Sequence, residues 1–175
     1  MKKTTIIFFF SLLFPLVSMA QKFPDLPGKT LDGEEIMLPE AASGKYTLIG
    51  MSYSKKSEEF LRTWYDPVID KFIIKRGMFD ALYDVNIYFV PMFTGVKKAS
   101  FEKAFKEVKQ RTDKQLYAYV LFYKGELKRY RETLKMTEKD LPYFFLIDAN
   151  GIIVTTFKGK FKDEYFEEIE EILVR

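Results

Sequence analysis

The residues with chemical potential concentrate in one short stretch, Ser52-Tyr-Ser-Lys-Lys-Ser57, between the apolar run Tyr46–Gly50 and a helical pattern that starts near Lys55. Serines at a helix start have three uses. They cap free backbone N–H groups, they help those donors and nearby lysines hold a carboxylate or phosphate, or they act as nucleophiles beside a lysine base. A lysine base must be buried to lose its proton near neutral pH. The adjacent Lys55 and Lys56 read instead as exposed, so capping by Ser54 or Ser57 is the leading reading and anion holding the second.

What is absent narrows the chemistry further. The chain has no cysteine and no histidine. Thiol–disulfide exchange, peroxidatic chemistry and thiolate metal sites all need the first. The Ser-His-Asp triad and imidazole ligation need the second. Asp148 and Asn150 read as a turn rather than a calcium loop, because further oxygen ligands at loop spacing and a distal Glu are missing. No cofactor or metal is expected.

The elements that position this stretch follow from periodicity. Pro-rich Phe23–Gly28 leads into a hairpin, Thr30–Ile36, turned at Asp32-Gly33, a pair that suits a two-residue turn with positive φ at both positions. Tyr46–Ser52 and Asp84–Phe93 read as buried strands, the second ended by Pro91. From Lys55, Phe60, Leu61, Trp64, Tyr65, Val68, Ile69, Phe72 and Ile73 form one broad apolar stripe. Pro67 requires a kink, or a second helix capped by Asp66. Ser100–Gln110 is a helix and Tyr117–Tyr123 a strand; Lys124–Lys135 is a solvated basic face. Pro142–Ile147 and Ile152–Phe157 pair around Asn150-Gly151, and Asp163–Val174 closes the chain as a helix. Trp64 and most other aromatics are core residues, with Tyr53 and Tyr143 candidates for an exposed contact patch.

The first 20 residues stand apart. Lys2 and Lys3 precede an apolar stretch, Ile6–Val17, and Ser18-Met19-Ala20 offers small residues where a signal peptidase reads. The expectation is a secretory signal peptide cleaved after Ala20 and a single domain over residues 21–175, periplasmic or extracellular; an uncleaved anchor is the alternative. Without Lys2 and Lys3, 26 of the 28 basic side chains face 25 acidic ones. That near-balance gives no support for nucleic-acid binding, and no second long apolar run suggests stable membrane insertion after cleavage.

Three motifs carry a resemblance. Phe23-Pro-Asp-Leu-Pro with Leu31-Asp-Gly33 and Gly44-Lys45 resembles the start of the peroxiredoxin and thiol-disulfide reductase branches of the thioredoxin-like superfamily. Leu141-Pro142 before a buried strand resembles that superfamily's cis-proline. Leu146-Ile-Asp-Ala-Asn-Gly151 with Gly159 resembles its late hairpin. The likeness spans about residues 23–173 apart from 97–139. It implies an α/β thioredoxin-like fold: a mixed central sheet, helices on both faces and an N-terminal β-hairpin. The segment equivalent to the superfamily's Cys-x-x-Cys is Ser52–Ser57, with Ser54 and Ser57 at that spacing, so the redox activity does not carry over. The chain is also similar to redox-inactive thioredoxin-like proteins that assist ATP synthase assembly.

The function expected is an exported, redox-inactive binding or assembly module with chaperone-like action on a polypeptide partner. Its face comprises Tyr53, Ser54, Lys55, Lys56, Ser57, Leu141, Pro142 and Tyr143. In the superfamily the residue before the cis-proline pairs its main chain with a bound peptide, which here is Leu141. The alternatives are a non-redox enzyme using Ser/Lys or carboxylates, and a small-ligand carrier with an aromatic pocket.

Overall fold

The computed structural model describes residues 21–78 and 80–174; the expected signal peptide lies outside them. Strands β1 (Leu26–Thr30) and β2 (Glu35–Leu38) form the N-terminal hairpin. Only Gly33 of its Asp-Gly pair has positive φ, at 108°. Its N–H bonds Thr30 O at 3.0 Å and Thr30 N bonds Glu34 O at 2.9 Å. The connection is therefore a four-residue turn closed by glycine, not the two-residue turn expected.

Strand β3 (Tyr46–Ser52) leads into helix α1 (Lys55–Leu61). A 3₁₀ turn, Arg62–Trp64, helix α2 (Tyr65–Val68) and a wider-wound turn, Ile69–Ile74, continue the same rod. Pro67 thus sits inside a helix that starts at Tyr65, with no side-chain cap from Asp66. The tightened turn just upstream accommodates a residue with no N–H to donate. Leu61, Trp64, Val68 and Phe72 are the buried members of the stripe.

Strand β4 (Val85–Thr94) runs through Pro91 instead of ending there. The registers give the reason. Pro91 faces Ser52, the last residue of β3, and Met92 begins the pairing with β5 (Leu121–Gly125). The proline occupies the handover between two neighbours, where a missing donor costs least. Helix α3 (Phe101–Arg111) lies between these strands in sequence. The strand expected over Tyr117–Tyr123 begins only at Leu121; residues 117–119 belong instead to a 3₁₀ helix, Lys114–Tyr119. There Tyr117 Oη donates to Lys109 O at 2.8 Å, tying the segment to the end of α3. Helix α4 (Lys128–Thr133), strands β6 (Tyr143–Ile147) and β7 (Ile153–Lys158), and helix α5 (Asp163–Leu173) complete the chain.

The sheet has seven strands in the order β2-β1-β5-β4-β3-β6-β7. β3–β4 and β4–β5 are parallel and the other pairs antiparallel. Alternation along the strands separates the cores. Leu48, Ile87, Phe89, Phe144 and Leu146 pack with the α1–α2 rod and α5, while Phe93 and Phe122 on that face meet α3. Ile49, Met51, Val90, Met92 and Phe145 pack on the opposite face with α4 and the extended N-terminal segment. Each fully buried large apolar side chain contributes roughly 1.5–3 kcal/mol. Trp64 is the centre of the first face. It stacks on Phe144 with centroids 3.7 Å apart, and its Nε1 donates to Gly159 O at 2.9 Å. Gly50 makes room for that stack, since a Cβ there would meet the Phe144 ring at 2.4 Å. Among the described residues, no helix is long and apolar enough to cross a membrane.

Candidate functional site

At the C-terminal end of β3 the chain leaves the sheet with its main chain still needing partners, and the serines supply them. Ser54 is the N-cap of α1, and its Oγ accepts from Ser57 N at 3.0 Å. Ser57 Oγ reciprocates, accepting from Tyr53 N at 3.2 Å and Ser54 N at 2.9 Å and donating to Ser54 O at 3.0 Å. This is a capping box with serine in the position usually held by Glu or Gln. Ser54 and Ser57 are both buried.

The turn before β6 closes over this cap. Ser54 Oγ lies 3.1 Å from Asp140 Oδ1 and 3.2 Å from Ser57 Oγ. A hydroxyl has one hydrogen, and the carboxylate is the stronger acceptor. Tyr53 Oη donates to Met136 O at 3.2 Å, and Tyr143 Oη accepts from Glu138 N at 2.7 Å. Lys158 Nζ reaches Glu138 from β7 and anchors the outside of the turn. The two loops that the sequence pairs do meet in space, joined by groups separated by more than 80 residues in the chain.

Burial pushes the Tyr53 phenol above its ordinary value; Tyr143 and Asp140 add to the rise, and Arg131 opposes it. Tyr53 therefore stays a hydrogen-bond donor, not a phenolate. Both serine hydrogens are committed, and Lys55 and Lys56 are exposed, so no Ser/Lys nucleophile is assembled. Lys55 and Lys56 remain the free cations of the helix start, while Glu58 in the first turn pairs with Lys97 at 2.8 Å.

The comparisons with known proteins fit this geometry. A family model described as ATP10 protein matches residues 14–163. The chain belongs to the ATP10 family. No curated protein matches it significantly. Among solved structures it is similar to the exposed lipoprotein thioredoxin Etrx1 of Streptococcus pneumoniae: TM-score 0.58, 19% identity, covering 86% of this chain and 100% of that one. It is also similar to BsSco, a member of the Sco family of cytochrome c oxidase assembly proteins: TM-score 0.56, 10% identity, covering 88% and 92%. The thioredoxin domain of a thiol-disulfide oxidoreductase from Bacteroides vulgatus gives a TM-score of 0.50 at 21% identity, covering 88% and 96%. These likenesses establish the thioredoxin-like fold. In this ATP10-family protein the absence of cysteine excludes thiol redox chemistry, and family membership implies a protein partner.

Two expectations for the site need correction. The Leu141–Pro142 bond is trans; among the described residues the cis bond is Leu38–Pro39. Pro142 is buried and starts β6 directly, its carbonyl accepting from Gly159 N at 3.0 Å. Tyr53 and Tyr143 are not an exposed patch: both are buried, their hydroxyls bonded to the 136–138 backbone. Leu141 is half-buried. Asp140 and Met136 escaped the sequence reading. Asp140 stands beside the paired Leu141-Pro142, a usable signal, whereas nothing local marks Met136.

Proposed function

We propose that this ATP10-family protein is an exported, redox-inactive assembly module that holds a polypeptide partner at the α1 start. Lys55, Lys56 and Leu141 would make the contact, and Tyr53, Ser54, Ser57, Pro142 and Tyr143 would form the rigid base beneath them. One observation carries the reading: the Ser54–Ser57–Asp140 network commits the hydroxyl hydrogens of Ser54 and Ser57 at the start of α1, yet leaves two lysines exposed on the same helix turn. A fixed, unreactive base carrying accessible cations suits holding an acidic segment better than transforming it. The family's tie to ATP synthase makes a subunit of that enzyme the first partner to test. Residues 1–20 support export, and N-terminal sequencing of the protein from its native host should begin at Gln21. Pull-down of ATP synthase subunits by the tagged protein tests the rest. Replacing both lysines by glutamate should reduce capture at least tenfold; undiminished capture would place the contact elsewhere.

A further inference from the structure

The two edges of the sheet are protected unequally. On the β7 side, Lys158 lies in the edge strand and a bulge interrupts its pairing between Leu146 and Ile147, both devices that discourage a foreign strand. Strand β2 has Glu35 but no lysine and no bulge, and its register with β1 is unbroken.

The main chain of β2 is open on its outer side. Thr30 N bonds Glu34 O, so the hydrogen-bonded pairs of this hairpin recur at Gly28–Ile36 and Leu26–Leu38. Bonded and non-bonded pairs alternate in antiparallel strands. The N–H and C=O groups of Glu35 and Met37 therefore face away from β1. Met37 is 39% exposed.

Beside this edge, on the face that carries α3, lies an open groove of about 540 Å³. Its apolar lining includes Pro27, Met37, Phe101 and Phe122. Lys29 and Lys124 line it too, over the Phe105 and Phe101 rings at 5.7 and 5.2 Å. So do Glu102 and Glu35, the latter opposite Lys29 in the register of β1 and β2. Among the described residues, none of these four charges makes an ion pair.

We propose that the β2 edge and this groove bind an extended segment of a partner protein, added to the sheet as a further strand. The surface is distinct from the α1 start, with β1, β5 and β4 standing between β2 and β3. Open main-chain groups in strand geometry are matched by another main chain. A lining of both signs complements a segment carrying both an acidic and a basic residue. It does not complement a nucleic acid or an anionic lipid surface, which demand a basic excess. A second copy pairing β2 to β2 would bring only Glu35 and Met37 to this face, adding an acid and no base beside the acids already there. The segment that fits alternates, with apolar residues on the side of Met37 and charges toward its ends.

A displayed library of random dodecapeptides, selected on the mature protein, tests the assignment. The expected winners alternate apolar residues, and their binding slows hydrogen exchange of the Glu35 and Met37 amides at least tenfold. Methylating alternate amide nitrogens of a selected peptide should abolish binding. Met37→Pro removes an outward donor and should weaken binding at least tenfold; the pair Lys29→Glu and Lys124→Glu, which leaves the edge main chain intact, should weaken peptides with acidic ends. Lys55→Glu with Lys56→Glu should leave this binding unchanged. Winners without alternation, or binding that is indifferent to peptide methylation, would overturn the proposal. So would a dimer in sedimentation that Met37→Pro dissolves, which would give the edge to a second copy.

Discussion

The end of β3 and the edge at β2 belong to one sheet, yet they treat their main-chain groups in opposite ways. At the end of β3, Tyr53 N, Ser54 N, Ser57 N and Ser54 O all find partners in two serine hydroxyls, and a distant turn brings Asp140 and the Met136 carbonyl to complete the shell. At β2, among the described residues, the outward groups of Glu35 and Met37 have no strand beside them, and four charges lining the adjacent groove lack ion partners. The main chain at the start of α1 is satisfied from within. The main chain at the β2 edge is open. The two are separated by the width of three strands.

That contrast is open to attack by mutation. The largest effect is expected from proline at Ile49, inside β3 and bonded on both sides. Losing ladder bonds there should cost about 3 kcal/mol or more and leave no cooperative urea transition. Ser57→Ala comes next. It strands two buried N–H donors and should destabilise by about 2–3 kcal/mol in the same titration. Ser54→Ala removes the helix cap and should cost about 1 kcal/mol. Its effect should fail to add to that of Asp140→Ala, because the two share one bond; strict additivity in a double-mutant cycle would deny that bond. Ser52→Ala should go the other way. Ser52 Oγ is buried with no hydrogen-bond partner, and removing an unsatisfied hydroxyl should stabilise by about 1 kcal/mol. Met37→Pro should change stability by under about 1 kcal/mol, since the donor it deletes is unbonded in the fold.

The pH response sharpens the same picture. No histidine or cysteine is present to titrate near neutrality, so stability should be flat from about pH 6 to 9. Burial raises the Tyr65 phenol from 10.0 to about 12, with Glu58 adding and Arg62 opposing. Burial also pushes Tyr53 and Tyr130 upward. Raised phenol values mean that the folded state favours the neutral form. Their contribution is complete below pH 10 and is lost as pH rises through the folded values, about 12 for Tyr65. Thermal melts across this range should show a plateau and then an alkaline fall.

Much of the site was legible in local pattern. Ser54 and Ser57 announce a cap by type and spacing, because capping depends on residues three apart in the chain. The strands around Leu48, Phe89 and Phe144 were readable because both of their faces are apolar. The errors cluster where a distant partner decides. Pro91 looked like a strand end, but it lies where β3 hands over to β5, and only the sheet order shows that. Tyr53 and Tyr143 looked like contact residues because an aromatic ring with a hydroxyl suits a surface or a core equally well. Their burial was settled by the 136–138 backbone, which no local pattern links to them.

The sequence by itself determined the chemistry that is excluded, the capped helix start and the apolar strands of a thioredoxin-like sheet. These follow from residue type and short-range periodicity, which act before any long-range contact forms. Tertiary structure alone decided that the turn ending at Asp140 closes over the start of α1 and that β2 stands at the sheet edge. Both depend on which strands become neighbours, and pairing between distant segments is settled by how the whole chain buries its apolar faces.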